Sequence, residues 1–366
     1  MAQSKLLNGE MMIKFKTKCL YVIKFSSFLF LIILLTFYSC SSSDESHNLF
    51  DLKWQKTQKN PIITPGYYGW DSKQVLVGTV LRLQGKFWMW HYSLGDRGKF
   101  QIGVKDSKEG FSWRNTSTEP VLKPGGEGEW DDLRVSKPCV IYDGNIFRMW
   151  YVGETKKEGK IIPKIGLAIS QDGVKWEKYQ DNPIFDLRDY NHDFADFLFY
   201  SWVLQESNHY KMWFSAAGKN DYKNIQSIGI AHSDDGMNWR VHPEPVLERD
   251  TTSVWENFYV ANPMVFKKDS LYYMFYGGLG RFGFLFKENI GIARSYDGIK
   301  WEKYHDNPVL VYTYDSEAWD REFVTQPRVL KAESDKYYMW YVGADKKNTT
   351  DQKGLYQIGL AIGEFK

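Results

Sequence analysis

Three aspartates in or near a repeated Trp-acid pattern are the first candidates for chemistry, and two of them, Asp132 and Asp196, stand where the pattern changes. Asp71 closes a Gly-Trp-Asp stretch, and Asp132 stands where two other copies of the pattern carry Ser or Asn. Asp196 stands in a copy that lacks the usual Trp-acid pair. Carboxyl groups that converge on one site can act as general acid and general base. We therefore predict that these three residues are catalytic; the alternative is that Asp132 and Asp196 are solvated carboxylates on a rim.

Six further charged residues lie near the same parts of the pattern and are candidates for substrate binding. They are Asp131, Arg134, Asp193, Glu256, Glu322 and Arg328. Some of the acids recur after Trp from copy to copy, as in Trp130-Asp131 and Trp255-Glu256. A residue that recurs in every copy is explained as readily by architecture as by function. For the recurring acids, Asp71 included, a capped turn therefore remains the alternative.

The pattern itself is a repeat with a turn glycine every 62 or 63 residues. Its best copies are IGLAISQDGVKW at 165–176, IGIAHSDDGMNW at 228–239 and IGIARSYDGIKW at 290–301. Each copy joins short runs of Val, Ile, Tyr, Phe and Trp through Gly, Pro, Asn and Asp, which is typical of β-strands. Four strands in each of five such repeats predict an all-β fold, a five-bladed β-propeller with four antiparallel strands per blade. The Ser-x-Asp-Gly turns are predicted to be structural.

The last repeat lacks a fourth strand, because the chain stops after the third. The missing strand is found at the other end: WQKTQKNPII at 54–63 is similar to the fourth-strand text WEKYQDNPIF at 176–185. We therefore predict that the N-terminal strand closes the last blade, which would leave no open sheet edge between the two ends.

The N-terminal part is predicted to lie outside this fold. Several lysines precede an apolar run at 28–38, which is too short for a membrane-spanning helix and is typical of a secretory signal. Ser39-Cys40 and a polar stretch follow. The sequence predicts a lipoprotein signal peptide at 1–40 with lipidation of Cys40, a tether at 41–50 and a catalytic domain at 51–366. The protein would then be lipid-anchored in the cell envelope, at the outer membrane or in the periplasm.

Composition limits the partners and cofactors. The formal net charge is +2, and no basic block stands out, so we expect no nucleic acid partner. The seven histidines are scattered without metal-ligand spacing, so we expect no metal and no cofactor. We expect a monomer that touches the membrane only through its lipid.

With these repeats and acids the chain resembles the five-bladed glycoside hydrolases of families 43, 32, 62, 68, 117 and 130. The resemblance covers 51–366 and is carried by the five repeats, the Asn-Pro-Ile-Ile stretch that leads to Asp71, and acids on successive inner strands. In family 43 a base Asp comes before the first blade, a second Asp tunes its pKa and a Glu in blade three is the acid. The resemblance implies these roles for Asp71, for Asp131 or Asp132, and for Asp193 or Asp196.

The resemblance implies an exo-acting glycoside hydrolase that cleaves oligosaccharides derived from plant or algal polysaccharides by carboxylate acid-base catalysis. Two alternatives stay open. One is a non-catalytic glycan-binding lipoprotein, and the other is a glycoside phosphorylase that holds phosphate with basic residues such as Arg134 and Arg328.

Overall fold

The computed structural model describes residues 3–7, 10–14, 20–24, 48–190, 197–207, 209–218, 226–283, 285–333, 335–345 and 356–365. Contacts divide the chain into two units, Met1–Asn48 and Leu49–Lys366. The first unit contains β1 (Gln3–Leu7), β2 (Glu10–Lys14) and β3 (Leu20–Lys24), which form a three-stranded antiparallel sheet. The predicted lipidation site Cys40 lies outside the described residues. No helix of the described residues is long and apolar enough to cross a membrane.

The second unit is all-β, as predicted. Short 3₁₀ turns at Leu49–Asp51 and Leu187–Asp189 are the helical segments of its described part. Its first strand is β4 (Leu52–Lys56). The next eight strands form two sheets: β5 (Gln74–Leu83), β6 (Lys86–Leu94), β7 (Phe100–Ser107) and β8 (Arg114–Asn115), then β9 (Arg134–Tyr142), β10 (Phe147–Lys157), β11 (Lys160–Ser170) and β12 (Glu177–Lys178).

The remaining strands form three more groups. The third group is β13 (Phe197–Glu206), β14 (His209–Ala217), β15 (Gln226–Ser233) and β16 (Arg240–Val241); the fourth is β17 (Tyr259–Lys268), β18 (Leu271–Phe282), β19 (Leu285–Ser295) and β20 (Glu302–Lys303); the fifth is β21 (Phe323–Lys331), β22 (Lys336–Ala344) and β23 (Tyr356–Phe365). Strands within each group pair antiparallel in chain order. One parallel bridge between Glu288 and Phe323 joins the fourth and fifth groups into a single sheet.

The N-terminal strand completes the fifth group. Strand β4 pairs antiparallel with β23, with Trp54 opposite Gly363, so the two ends of the second unit share one sheet. An isolated bridge between Ile63 and Ile358 continues this pairing. The similarity between 54–63 and 176–185 therefore predicted the correct strand partner.

A tryptophan on the second strand of most groups contacts the following group. The indole Nε1 of Trp90 donates to the Gly173 carbonyl at 2.9 Å, and Trp340 in the fifth group donates to Gly110 in the first at 2.7 Å. The same bond joins Trp150 to Gly236 and Trp213 to Gly298. The fourth group has Phe275 at this position, and its ring meets the edge of Trp54. These contacts therefore run from each group to the next, and from the last back to the first.

The accepting turns owe their shape to the Ser-x-Asp-Gly sequence. In the second group the Ser170 hydroxyl accepts from the Gly173 amide, and Asp172 accepts from the amides of Val174 and Lys175. Gly173 has a φ of 75°, a conformation that glycine adopts without steric cost. The Ser170 hydroxyl and Asp172 Oδ1 are both bonded inside the turn, so this aspartate shapes the turn.

Candidate active site

A cavity of about 490 Å³ is lined by residues of the first, second, fourth and fifth groups. Its lining combines aromatic and apolar side chains with charged and amide groups. The polar and aromatic lining residues are Gln74, Tyr92, Phe100, Arg134, Ser136, Lys137, Glu154, Tyr259, Asn262, Phe286, Glu288, Phe323, Thr325, Gln326 and Tyr356. Few polar groups that converge in a partly apolar pocket are the usual features of a small-molecule site.

Glu288, on β19, is the most unusual ionisable group of the cavity. Only 6% of the residue is exposed. Its Oε1 accepts from the Thr325 hydroxyl at 2.5 Å and from the Asn262 amide at 3.2 Å, whereas Oε2 accepts from Tyr259 at 3.3 Å. Burial outweighs these bonds and raises the pKa of Glu288 to about 7. A carboxyl that keeps its proton near neutral pH can serve as a general acid.

The room for this carboxyl comes from a glycine on the neighbouring strand. A Cβ atom built on Gly277 would lie 2.4 Å from Glu288 Oε1 and 3.3 Å from the Thr325 hydroxyl. At the same point of the repeat the second and fifth groups carry Val152 and Val342. The fourth group thus departs from the repeat twice, once to introduce the acid and once to make space for it.

The raised pKa predicts how stability depends on pH. Between pH 4.5 and about 7 the folded protein keeps a proton on Glu288 that the unfolded chain has released. The free energy of unfolding therefore falls as the pH rises through this range, by about 3 kcal/mol for a shift of this size. We expect Glu288→Gln to lack this loss, so that it gains in Tm relative to the wild type from pH 5 to pH 8. Parallel Tm profiles of the two proteins would contradict the assignment.

Glu154, at the end of β10, is the second buried carboxylate of the cavity. It is 4% exposed and pairs with Arg134, with 2.5 Å between Nη2 and the carboxylate oxygen. The two residues are directly opposite each other in the strand register. At the corresponding point of the repeat the other groups carry Leu94, Ala217, Leu279 and Ala344. Two carboxyls in different environments, one protonated and one ion-paired, are what acid-base chemistry requires.

Three bulges bring polar side chains to the cavity. Lys137, Asn262 and Gln326 each precede a proline on a first strand and have φ values of 55°, 55° and 52°. The strand register shifts at each of these places. Such conformations are rare for residues other than glycine and are frequent near functional sites. All three residues line the cavity.

Arg328 does not line the cavity but is buried beside it, with 1% of the residue exposed. Its guanidinium donates to the carbonyls of Gly78 and Pro327 and lies 4.8 Å from the ring centres of Tyr200 and Trp202. Burial lowers its pKa. These contacts span the first, third and fifth groups, so Arg328 packs between groups, and its contact with substrate stays a prediction.

The acids that follow Trp belong to structural clusters. Asp131 is fully buried and accepts from Lys178 at 2.7 Å and from the Tyr151 hydroxyl at 3.1 Å. The same cluster is formed by Glu256, with Lys303 and Tyr276. Since their partners lie within their own group, these acids stabilise the fold, which is the alternative that the sequence left open.

The remaining predicted site residues are not brought together at the cavity. Asp71 is partly exposed before β5; burial lowers the pKa of Lys105, and the charge of Asp71 partly offsets this. Asp132 accepts from the Gly128 amide at 2.9 Å, and bonds from Gly128 and Thr155 lower its pKa. Neither of these two aspartates lines the cavity.

Three predicted site residues remain. One of them forms an ion pair, and the other two cannot be placed. Glu322 contacts Lys287 at 3.0 Å and is 6% exposed. Asp193 and Asp196 lie outside the described residues. Of the predicted set, Arg134 is the residue that lines the cavity within the described chain.

Sequence reasoning missed Glu154 and Glu288, although a signal for both was present. Each is an acid at a point of the repeat where the described copies carry other residue types, as Pro163, Gln226 and Tyr356 do at the place of Glu288. The rule that exceptions to a repeat indicate function would have found them on the second and third strands. The three predicted catalytic aspartates lie in the loops before the first strands instead.

Comparisons with known proteins find similarity to carbohydrate-active enzymes. Residues 282–355 match the sequence model of glycoside hydrolase family 130, described as β-1,4-mannooligosaccharide phosphorylase. This segment includes Glu288. An uncharacterized protein of Mycobacterium tuberculosis is 26% identical over 325 residues, which cover 86% of this chain and all of that protein. A β-1,2-mannobiose phosphorylase of Thermoanaerobacter sp. is 27% identical over 148 residues, which cover 36% of this chain and 46% of that enzyme.

Solved structures share the fold over most of the chain. One belongs to the mannoside phosphorylase family 130, reported to contain glycoside hydrolases that target β-1,2-mannosidic linkages in Candida mannan; its TM-score is 0.63 at 16% identity, covering 85% of this chain and 93% of that one. A thermostable family-43 glycoside hydrolase has a TM-score of 0.58 at 17% identity, covering 81% and 92%. The chain therefore has the fold of the family 43 and family 130 glycoside hydrolases, and its residues 282–355 are similar to the mannoside phosphorylase family.

Proposed function

We propose that this protein cleaves a glycosidic bond of an oligosaccharide bound in the cavity, with Glu288 as the general acid. The observation that carries the proposal is a buried carboxyl in the cavity lining, held by three donors, whose pKa is raised to about 7. Oε2 has only the Tyr259 hydroxyl at 3.3 Å, so it is the oxygen that carries the proton in this mechanism.

The proposed reaction is hydrolysis. The proton of Glu288 passes to the glycosidic oxygen, the bond between that oxygen and the anomeric carbon breaks, and the electron pair stays with the leaving group. Water adds to the anomeric carbon and gives its proton to the second carboxylate, Glu154. Arg134 pairs with that carboxylate and holds it in place before the reaction.

Phosphorolysis is the second candidate, and the match of residues 282–355 to a phosphorylase family favours it. Phosphate would then attack the anomeric carbon, and no base would be needed to activate water. Product analysis of a panel of 4-nitrophenyl glycosides and manno-oligosaccharides, with and without phosphate, separates the two reactions. Free sugar indicates hydrolysis, and a sugar 1-phosphate that forms only with phosphate indicates phosphorolysis. If the protein binds glycans but forms neither product, it is the non-catalytic glycan-binding protein considered above.

The limited volume of the cavity favours an exo-acting enzyme. A pocket of about 490 Å³ holds one or two sugar units and suits a chain end better than the middle of a chain. Oligosaccharides from plant or algal polysaccharides remain the proposed substrates. Chain-end release from a reduced oligosaccharide series, measured by the size of the first product, tests this point.

We also propose that the five groups are the blades of a five-bladed β-propeller. The contacts that pass from each group to the next, and from the fifth to the first, support this arrangement. Small-angle scattering tests it, because a closed ring and an open stack of sheets differ in their radius of gyration.

The cellular site is proposed from the sequence alone. Ser39-Cys40 after an apolar run supports a lipoprotein anchored in the cell envelope. Metabolic labelling with a fatty acid analogue, compared between the full chain and Cys40→Ala, tests the anchor. Label that is independent of Cys40 would rule it out.

A further inference from the structure

Lys137 is a basic residue of the cavity that forms no hydrogen bond or close ion pair with the described side chains, although the charge of Glu154 acts on it. It stands in the bulge of β9, before Pro138, and lines the cavity together with Arg134 and Glu154. No hydrogen bond or ion pair within 4.0 Å joins it to another described side chain, whereas Arg134 is paired with Glu154. In the first and third groups the corresponding residues are Val77 and Tyr200. The lysine is therefore particular to the second group and is not required by the bulge.

The charges of the cavity do not balance without a ligand. Arg134 and Glu154 cancel each other, and Glu288 keeps its proton at slightly acidic pH. Lys137 remains; it is partly buried, and burial lowers its pKa, which the charge of Glu154 offsets only in part. A charge that is taken from water and left unpaired is costly. A ligand that carries one negative charge would remove this cost.

We propose that the cavity recognises a glycoside that itself carries a carboxylate, such as a hexuronic acid, and that Lys137 is the partner of this carboxylate. The inference rests on the proposed glycoside-cleaving function and adds the substrate class. Gln326 supports it: its Oε1 accepts from the Tyr92 hydroxyl at 2.9 Å, which leaves the amide NH₂ group available as a neutral donor in the same lining.

A single charge on the sugar fits this cavity better than free phosphate. Phosphate is commonly bound by arginine forks, which match its oxygens in pairs. Arg134 already uses its fork on Glu154, and Arg328 donates to backbone carbonyls beside the cavity. Lysine is a compact point charge, which suits a monoanion. The Glu154 carboxylate would also repel a dianion.

Paired substrates test the proposal. We would measure kcat/KM on 4-nitrophenyl hexuronides and on the matching hexosides, which differ only at C6. The wild type is expected to prefer the uronide of the accepted sugar by about 10- to 100-fold. Lys137→Met is expected to remove this preference by raising KM for the uronide. Lys123→Met, at an exposed lysine paired with Glu119, is the control and should keep the preference.

Binding separates this inference from the proposed reaction. Titration of free hexuronic acids into Glu288→Gln, and into that variant with Lys137→Met added, measures recognition without turnover. Binding of hexuronic acid that requires Lys137 supports the inference, even if no glycoside is cleaved. The absence of cleavage would refute only the proposed function. Cleavage of neutral glycosides only, unaffected by Lys137→Met, would overturn the inference and leave the function. The inference would also be overturned if Lys137→Met abolished a dependence of activity on inorganic phosphate and changed nothing else.

Discussion

Glu288→Gln is expected to lower kcat by about 10²- to 10⁴-fold, the usual contribution of a positioned general acid. The amide keeps the size of the side chain and an oxygen that accepts from Thr325 and Asn262, but it carries no transferable proton. KM should change little, because the cavity keeps its shape. Activity of the wild type should fall as the pH rises above about 7, where Glu288 releases its proton.

A substrate with a good leaving group provides the internal control. A 2,4-dinitrophenyl glycoside needs little protonation when it leaves, so it should recover much of the lost rate in Glu288→Gln. If Glu288 only shaped the cavity, both substrates would lose rate equally. Equal losses, or a variant that retains full activity on a natural oligosaccharide, would remove Glu288 from the mechanism.

Gly277→Ala tests the same acid without changing it. The added methyl group would collide with Glu288 Oε1 at 2.4 Å, so the carboxyl must move away from Thr325. We expect the pH at which activity is lost to change together with kcat. Gly278 is not a suitable control, because a Cβ there would collide with Trp255. A Cβ atom built on Gly85, which lies in an open turn, would meet nothing within 4 Å. Gly85→Asn is therefore the better control, because Asn tolerates a positive φ better than most residues.

The strands were predictable because the repeat shows their pattern several times. Each copy carries the same alternation of aromatic strand, turn and Trp-led strand. A departure in one copy therefore does not hide the pattern, because the other copies still show it. The partner of β4 followed from the same logic, since residues 54–63 keep the fourth-strand text. Local sequence was enough because each strand pairs with its neighbour through contacts that every copy repeats.

The site was less predictable for two physical reasons. The acids after Trp are conspicuous in the sequence, yet Asp131 and Glu256 are satisfied by lysine and tyrosine partners of their own group. The cavity, by contrast, is made of residues from several groups, and a bulge decides which of them face it. A shift of one residue moves a side chain to the opposite face of a sheet. The shifts at Lys137 and Asn262 carry no clear mark in the sequence beyond the following proline.

Asp320→Ala is expected to destabilise the second unit by about 3 kcal/mol, since it leaves a buried ion pair without its carboxylate. Asp320 is 1% exposed and accepts from Lys56 at 2.7 Å and from the Tyr341 hydroxyl at 3.1 Å. Lys56 belongs to β4, so this bond ties the N-terminal strand to the last group. Lys56 is partly exposed, which limits the loss of stability, because its freed ammonium group can reach water.

Asp131→Ala is the matched control for the N-terminal strand. Asp131 forms the same cluster with Lys178 and Tyr151, but both partners belong to the second group. The two variants should therefore lose similar Tm, whereas only Asp320→Ala should expose the backbone amides of β4. Hydrogen exchange at 52–56 measures this difference. Equal protection of that strand in both variants would show that β4 is held by its pairing with β23 alone, and the Lys56–Asp320 bond would then have no special part in joining the two ends.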